Sequence, residues 1–125
     1  MKSQQVKEQQ MKEKTDCLTF TEVNFQEEVI NSKQPVLAVF EAEWSGACDI
    51  MTPILEDLCI EFKGRAKIGI IDIDINEKLV EKHRIINIPA LVFYNKGEVV
   101  DHIIGSVPRH IIEEKLCQIV LPDNK

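Results

Sequence analysis

Five consecutive apolar residues, Val36-Leu37-Ala38-Val39-Phe40, constrain this chain more than any other feature. An unbroken run of that kind suits a central strand covered on both faces, as in the sheets of α/β folds.

The flanking segments supply what such a strand needs. Upstream, Asn24-Phe25-Gln26-Glu27 places a cap residue three positions before Glu27, and Val29 and Ile30 follow on the face of Phe25, which predicts a short helix. Downstream, Ile50, Met51, Ile54, Leu55, Leu58 and Phe62 fall on one helical stripe, and Pro53 is expected to kink it. A second buried strand spans Ala66 to Ile73, with Asp72 and Asp74 at its end. Asn76 is placed to cap a helix that carries Leu79 and Val80. Two further strands, Ala90 to Tyr94 and Glu98 to Ile104, are joined by Asn95-Lys96-Gly97, where glycine supplies positive φ. Pro108 opens a last amphipathic helix through Ile112, Leu116 and Ile119. The expected order is strand, helix, strand, helix, strand, helix, strand, strand, helix. Right-handed crossovers make the first half parallel, and the hairpin adds an antiparallel edge. There is no internal repeat.

A chain of 125 residues makes one domain, which buries roughly two-thirds of its extended surface. With 44% apolar and 29% charged residues it belongs with soluble globular chains. Its net charge of −6 argues against nucleic acid or an anionic membrane as the main partner, since both demand a basic face. Residues 1–16 are nearly all Gln, Lys and Glu and cannot bury enough apolar surface to offset ordering. They are expected to form a disordered polar arm, or alternatively a docking arm, ahead of a domain over 17–125. Four unevenly spaced cysteines suggest neither a disulfide scaffold nor a zinc clamp. No apolar stretch follows Met1, so a signal peptide and a membrane span are not expected, and a reducing cytoplasmic setting is the default.

Chemistry concentrates at Phe40-Glu41-Ala42-Glu43-Trp44-Ser45-Gly46-Ala47-Cys48, where the central strand hands over to the long helix. Unpaired N–H groups at a helix start stabilise an anion, so a cysteine there has its thiolate favoured. Two cysteines separated by two residues at such a turn would form a reversible disulfide.

Trp44-Ser45-Gly46-Ala47-Cys48, with Pro53-Ile54-Leu55, Ile88-Pro89-Ala90, Gly97 and Gly105, resembles the thioredoxin family from about Leu18 to Val120. The resemblance implies a thioredoxin fold, a central mixed sheet of about five strands flanked by about four helices, and an ancestry in protein disulfide reduction. It also implies a cis bond at Ile88–Pro89 opposite the motif, and a shallow apolar substrate groove of Trp44, Gly46, Ala47, Ile88, Pro89 and Gly105. The partner would be a protein or peptide, with a thioredoxin reductase only for a form that has paired cysteines; no cofactor or metal is implied.

The departures from the family pattern are equally specific. Ser45 stands where the resemblance places the attacking cysteine, and a hydroxyl cannot exchange with a disulfide. Ala47 replaces the family's proline, Val39 its buried acid, and Ile70 a nearby buried lysine. Substituting the nucleophile alone would not also produce Val39 and Ile70, which favours divergence over a single exchange. The dithiol cycle is therefore expected to be disabled, leaving at most monothiol chemistry at Cys48.

Cys48 lies inside the helix, where burial dulls a thiol. Cys59 is eleven residues further on, about 16 Å along the axis, beyond the Cα separation of about 7 Å that a disulfide tolerates. Cys59 and Cys117 are expected to act as small core hydrophobes, and Cys17, at the edge of the arm, as the most exposed thiol. Glu41, Glu43 and Asp49 make the surroundings acidic. His83, His102 and His110 lack ligand-like spacing and are expected to be solvated or capping. Two alternatives to a disabled disulfide reductase remain: a non-catalytic polypeptide-binding module using the Trp44/Ile88-Pro89 groove, and a redox sensor at Cys48.

Overall fold

A computed structural model describes residues 17–120. Its elements are β1 (Leu18–Thr19), a π-helical turn (Gln26–Ile30), β2 (Val36–Glu41), α1 (Gly46–Glu61), β3 (Lys67–Asp72), α2 (Glu77–Lys82), β4 (Ala90–Asn95), β5 (Glu98–Ile104) and α3 (Arg109–Val120). The five strands form one sheet in the order β1-β3-β2-β4-β5. β1 and β2 run parallel to β3, with Val39 opposite Ile70. β4 lies antiparallel on the other side of β2 and carries β5 outside it.

The unbroken apolar run forms the middle strand because it has two faces to bury. Leu37 and Val39 face one core with Met51, Leu55 and Leu58 of α1, its C-cap Phe62, and Ile112 and Leu116 of α3. Val36, Ala38 and Phe40 face a second core with Phe20, Phe25, Val29 and Leu79. No residue from Val36 to Phe40 is more than 1% exposed. The hairpin turns on Lys96 and Gly97, both at positive φ (56° and 83°), with Asn95 paired to Glu98. Two left-handed residues in a two-residue loop match the strand twist.

Several local expectations are corrected. Ile50 is 63% exposed, because α1 starts at Gly46 and turns its buried stripe onto Met51, Leu55, Leu58 and Phe62. Asn24 does not cap the first helical turn. Thr21 Oγ1 accepts from Asn24 N–H while Asn24 Oδ1 accepts from Thr21 N–H, a reciprocal box shifted three residues earlier. Asn76 occupies the cap position of α2, but its buried side chain accepts from Glu22 N–H and donates to the Asp72 carbonyl. Glu22 in turn accepts from Lys78 N–H, so the first core segment caps α2.

Of the two roles expected for His83, capping holds and solvation does not: it is the C-cap of α2. It lies half-buried among Phe25, Phe40 and Tyr94. Its Nδ1 donates to the Leu79 carbonyl, 2.8 Å away, leaving Nε2 to accept from the Tyr94 hydroxyl. Burial lowers the His83 pKa, consistent with a neutral ring, and raises that of Tyr94. His102 and His110 are exposed.

The cysteine expectations change most. Cys17 is half-buried and forms a disulfide with Cys59, with a Cα separation of 5.2 Å and 42 positions between them in sequence. The distance along α1 excludes only a Cys48–Cys59 bond. Parallel pairing of β1 with β3 carries Cys17 to the sheet edge that α1 covers, and there it meets Cys59. A closed loop of this length is worth about 4 kcal/mol in the chain-entropy account.

Gly69 of β3 makes the approach of this N-terminal segment possible. A Cβ there would lie 2.4 Å from Cε2 of the fully buried Phe20, whose ring crosses over the strand. Phe20 N–H also donates to the Ile70 carbonyl at 2.9 Å. Gly69→Ala is expected to destabilise the fold by about 1–3 kcal/mol through overpacking. Urea unfolding checks this: the midpoint should fall with the slope unchanged.

Candidate functional site

The C-terminal end of β2 places the motif. Along the end of the sheet, Asp72, Glu41, Pro89 and Gly105 succeed one another, because Glu41 is paired with Asp72, Phe40 with Ala90, and Ala90 with Ile104. Gly105 N–H donates to the Pro89 carbonyl at 2.7 Å, and Gly105 takes φ +96°, where a side chain would be strained. The Ile88–Pro89 peptide bond is cis. Pro89 is buried, while Ile88 and Gly105 are half-buried.

Residues 42–48 rise from this end into α1. Trp44 is 68% exposed, yet its indole N–H donates to Asp74 Oδ2 at 2.9 Å. Ser45 is the N-cap of α1: its backbone is extended (φ −95°, ψ 118°) and its Oγ accepts from Cys48 N–H at 3.3 Å. Such a cap contributes about 1 kcal/mol to a helix. The oxygen that cannot attack a disulfide thus has a structural task at the helix start. Gly46 and Ala47 are exposed, and nothing approaches within 4 Å of where a Gly46 side chain would begin. Ser106 Oγ donates to the Ala47 carbonyl at 3.1 Å, tying the segment after β5 to the motif. Cys48 is 1% exposed and carries no disulfide. Sheet register and the Ser106 bond therefore gather Ala47, Pro89 and Gly105 at one end of the molecule, with Ile88 adjacent in sequence. Trp44 and Ser45 border them.

Three contributors were not apparent in the sequence. Asp74 reads there as a strand-end acid, and only the return of β3 beside β2 brings it to Trp44. Ser106 carries no motif signal. Glu41 reads as one acid among several, but its environment sets it apart. Burial, then the negative charges of Asp49 and Asp72, push its pKa up to about 7. This carboxyl therefore holds its proton to a higher pH than an ordinary glutamate. Among the described residues, no three His, Cys, Asp or Glu side chains gather as a metal site, and no helix is long and apolar enough to cross a membrane.

A mixed five-stranded sheet with helices on both faces, and a tryptophan-led helix start beside a proline-led strand, defines an α/β protein of the thioredoxin type. The thioredoxin family matches residues 16–118. The chain is 40% identical to Thioredoxin C-2 of Corynebacterium nephridii over 71% of this chain and 82% of that protein. It is 33% identical to a thioredoxin of Chlorobaculum thiosulfatiphilum over 77% of this chain and 89% of the relative. With a thioredoxin of Porphyra purpurea it shares 35% identity over 80% of this chain and 94% of the relative. The chain belongs to the thioredoxin family.

Glu41 yields a pH prediction. Its folded pKa is raised, so the folded state holds a proton that the unfolded chain releases near pH 4.5. Its contribution to stability is complete below that value and is lost as pH rises toward 7. Glu41→Gln is expected to remove this loss, raising stability at pH 8 relative to the parent by on the order of 1 kcal/mol after allowance for solvent screening. Denaturant midpoints at pH 5 and pH 8 check it; the difference between the two proteins should shrink at pH 5.

Proposed function

We propose that this protein is a thioredoxin-family member whose motif no longer carries out dithiol–disulfide exchange, with Cys48 limited to monothiol chemistry. The observation that carries the reading is Ser45: its oxygen occupies the helix start where the family resemblance calls for an attacking sulfur, and it is engaged in capping Cys48 N–H. Disulfide exchange proceeds by thiolate attack on sulfur, and a hydroxyl supplies no equivalent. The 1% exposure of Cys48 adds to this, because a buried sulfur offers little to an incoming substrate. Val39 and Ile70 leave apolar side chains where the family's acid and lysine would assist proton movement. The Cys48 sensor reading is disfavoured by the same burial.

Reduction of a protein disulfide such as insulin by dithiothreitol, with and without the purified chain, tests this. The native protein is expected to leave the rate unchanged. Ser45→Cys is expected to raise it about tenfold or more by returning a thiol to the helix start. Native turnover at rates typical of thioredoxins would overturn the proposal. A folded but silent Ser45→Cys variant would mean that the loss extends beyond the nucleophile.

A second reading, a polypeptide-binding module without chemistry, is favoured by the exposed, tethered Trp44 beside Ile88, Pro89 and Gly105. An extended partner would lay its backbone along the Ile88 segment and an apolar side chain against the indole. Trp44→Ala is then expected to weaken binding of a permanently unfolded polypeptide about tenfold or more, measured by titration calorimetry, while alkylation of the chain leaves binding unaltered. Equal affinity of the two proteins would exclude this use of the groove.

A further inference from the structure

We propose that Cys17–Cys59 is a second redox site, a disulfide that accepts two electrons from a dithiol reductant and thereby releases the N-terminal strand β1 from the sheet. The site is independent of the motif at Ser45 and Cys48.

The two sulfurs are unequally placed. Cys59 is 4% exposed and packs in the core between α1 and β3. Cys17 is half-buried and immediately precedes the edge strand. An external thiolate therefore attacks Cys17 Sγ, forms a mixed disulfide with it and expels Cys59 as a thiolate, which takes up a proton. The reductant's second thiol then attacks the mixed disulfide, leaves as a closed disulfide and expels Cys17, which is protonated in turn. The reductant loses two electrons and two protons, and the cysteine pair gains them.

Topology confines the consequence. β1 is two residues long, has a single neighbour and presents Leu18 and Thr19 as exposed residues. Besides the covalent link it has its two-residue pairing to β3 and the bond from Asn24 Nδ2 to the Thr19 carbonyl at 3.0 Å, few contacts for an edge strand. One residue later the chain is firmly anchored, with the Phe20 ring buried over Gly69 and its N–H bonded to the Ile70 carbonyl. Opening the bond thus frees Cys17 to Thr19 and leaves the core from Phe20 onward in place. It also removes the strand that covers the outer edge of β3 beside Gly69, while the Ile70 carbonyl keeps its bond from Phe20 N–H.

The purified chain is first oxidised with glutathione disulfide and then treated with dithiothreitol without denaturant. Alkylation and peptide mass spectrometry read each cysteine. Cys17 and Cys59 are expected to become reactive together, and hydrogen exchange across 17–19 to accelerate about tenfold or more while Phe20, β2 and β4 keep their protection. Cys17→Ser should reproduce the exchange pattern of the reduced protein. Failure of the pair to close under oxidation, resistance to dithiothreitol until denaturant is added, or a loss of protection that extends through β2 and β4 would each overturn the proposal. So would a Cys17→Ser chain with the exchange pattern of the oxidised protein.

Discussion

Burial of β2 on both faces is the constraint on which the rest of the molecule depends. Leu37 and Val39 demand α1 and α3 on one side, and Val36, Ala38 and Phe40 demand the N-terminal segment and α2 on the other. A strand covered in this way cannot lie at an edge, so β3 and β4 must flank it. Its last residue is then delivered to the end of the sheet, where α1 begins. The position of Ser45 and Cys48 follows from that hand-over rather than from any interaction of their own.

Apart from Trp44, the residues at the motif are small, and their local geometry is set by a few polar contacts. At the helix start itself, the Ser45 oxygen is engaged as a cap, accepting from Cys48 N–H. Val39 is apolar, and the carboxyl close by, Glu41, has its pKa raised first by burial and then by the charges of Asp49 and Asp72. The framework that exposes Trp44 and aligns Pro89 with Gly105 is held by sheet register and by the Ser106 and Asp74 bonds, not by the Ser45 oxygen.

Strands and helices were legible because their signals are local. The apolar run of β2, the glycine turn at Gly97 and the helix after Pro108 each announce themselves within a few residues, and the family motif fixes their order. The cysteine pair was not legible. Cys17 lies at the end of a polar segment and Cys59 within a helix, and nothing near either reveals that β1 crosses to the edge covered by α1. Asn76 illustrates the same limit: its type and position predict a cap, but a tertiary partner, Glu22, takes the side chain and does the capping itself. Ile50 was misplaced because the start of α1, not the apolar count, decides which side turns inward. His83 carries no sequence signal for burial, since its three aromatic neighbours come from three separate segments.

The bond from the Trp44 indole to Asp74 has a further consequence. A large aromatic side chain on a surface normally samples several rotamers, and a visitor that immobilises it must offset that lost freedom. Here the freedom is already surrendered to a carboxylate anchored on the neighbouring strand's extension. Whatever stacks against this ring encounters a rigid plate instead of a swinging paddle, and its residence time gains more than its arrival rate.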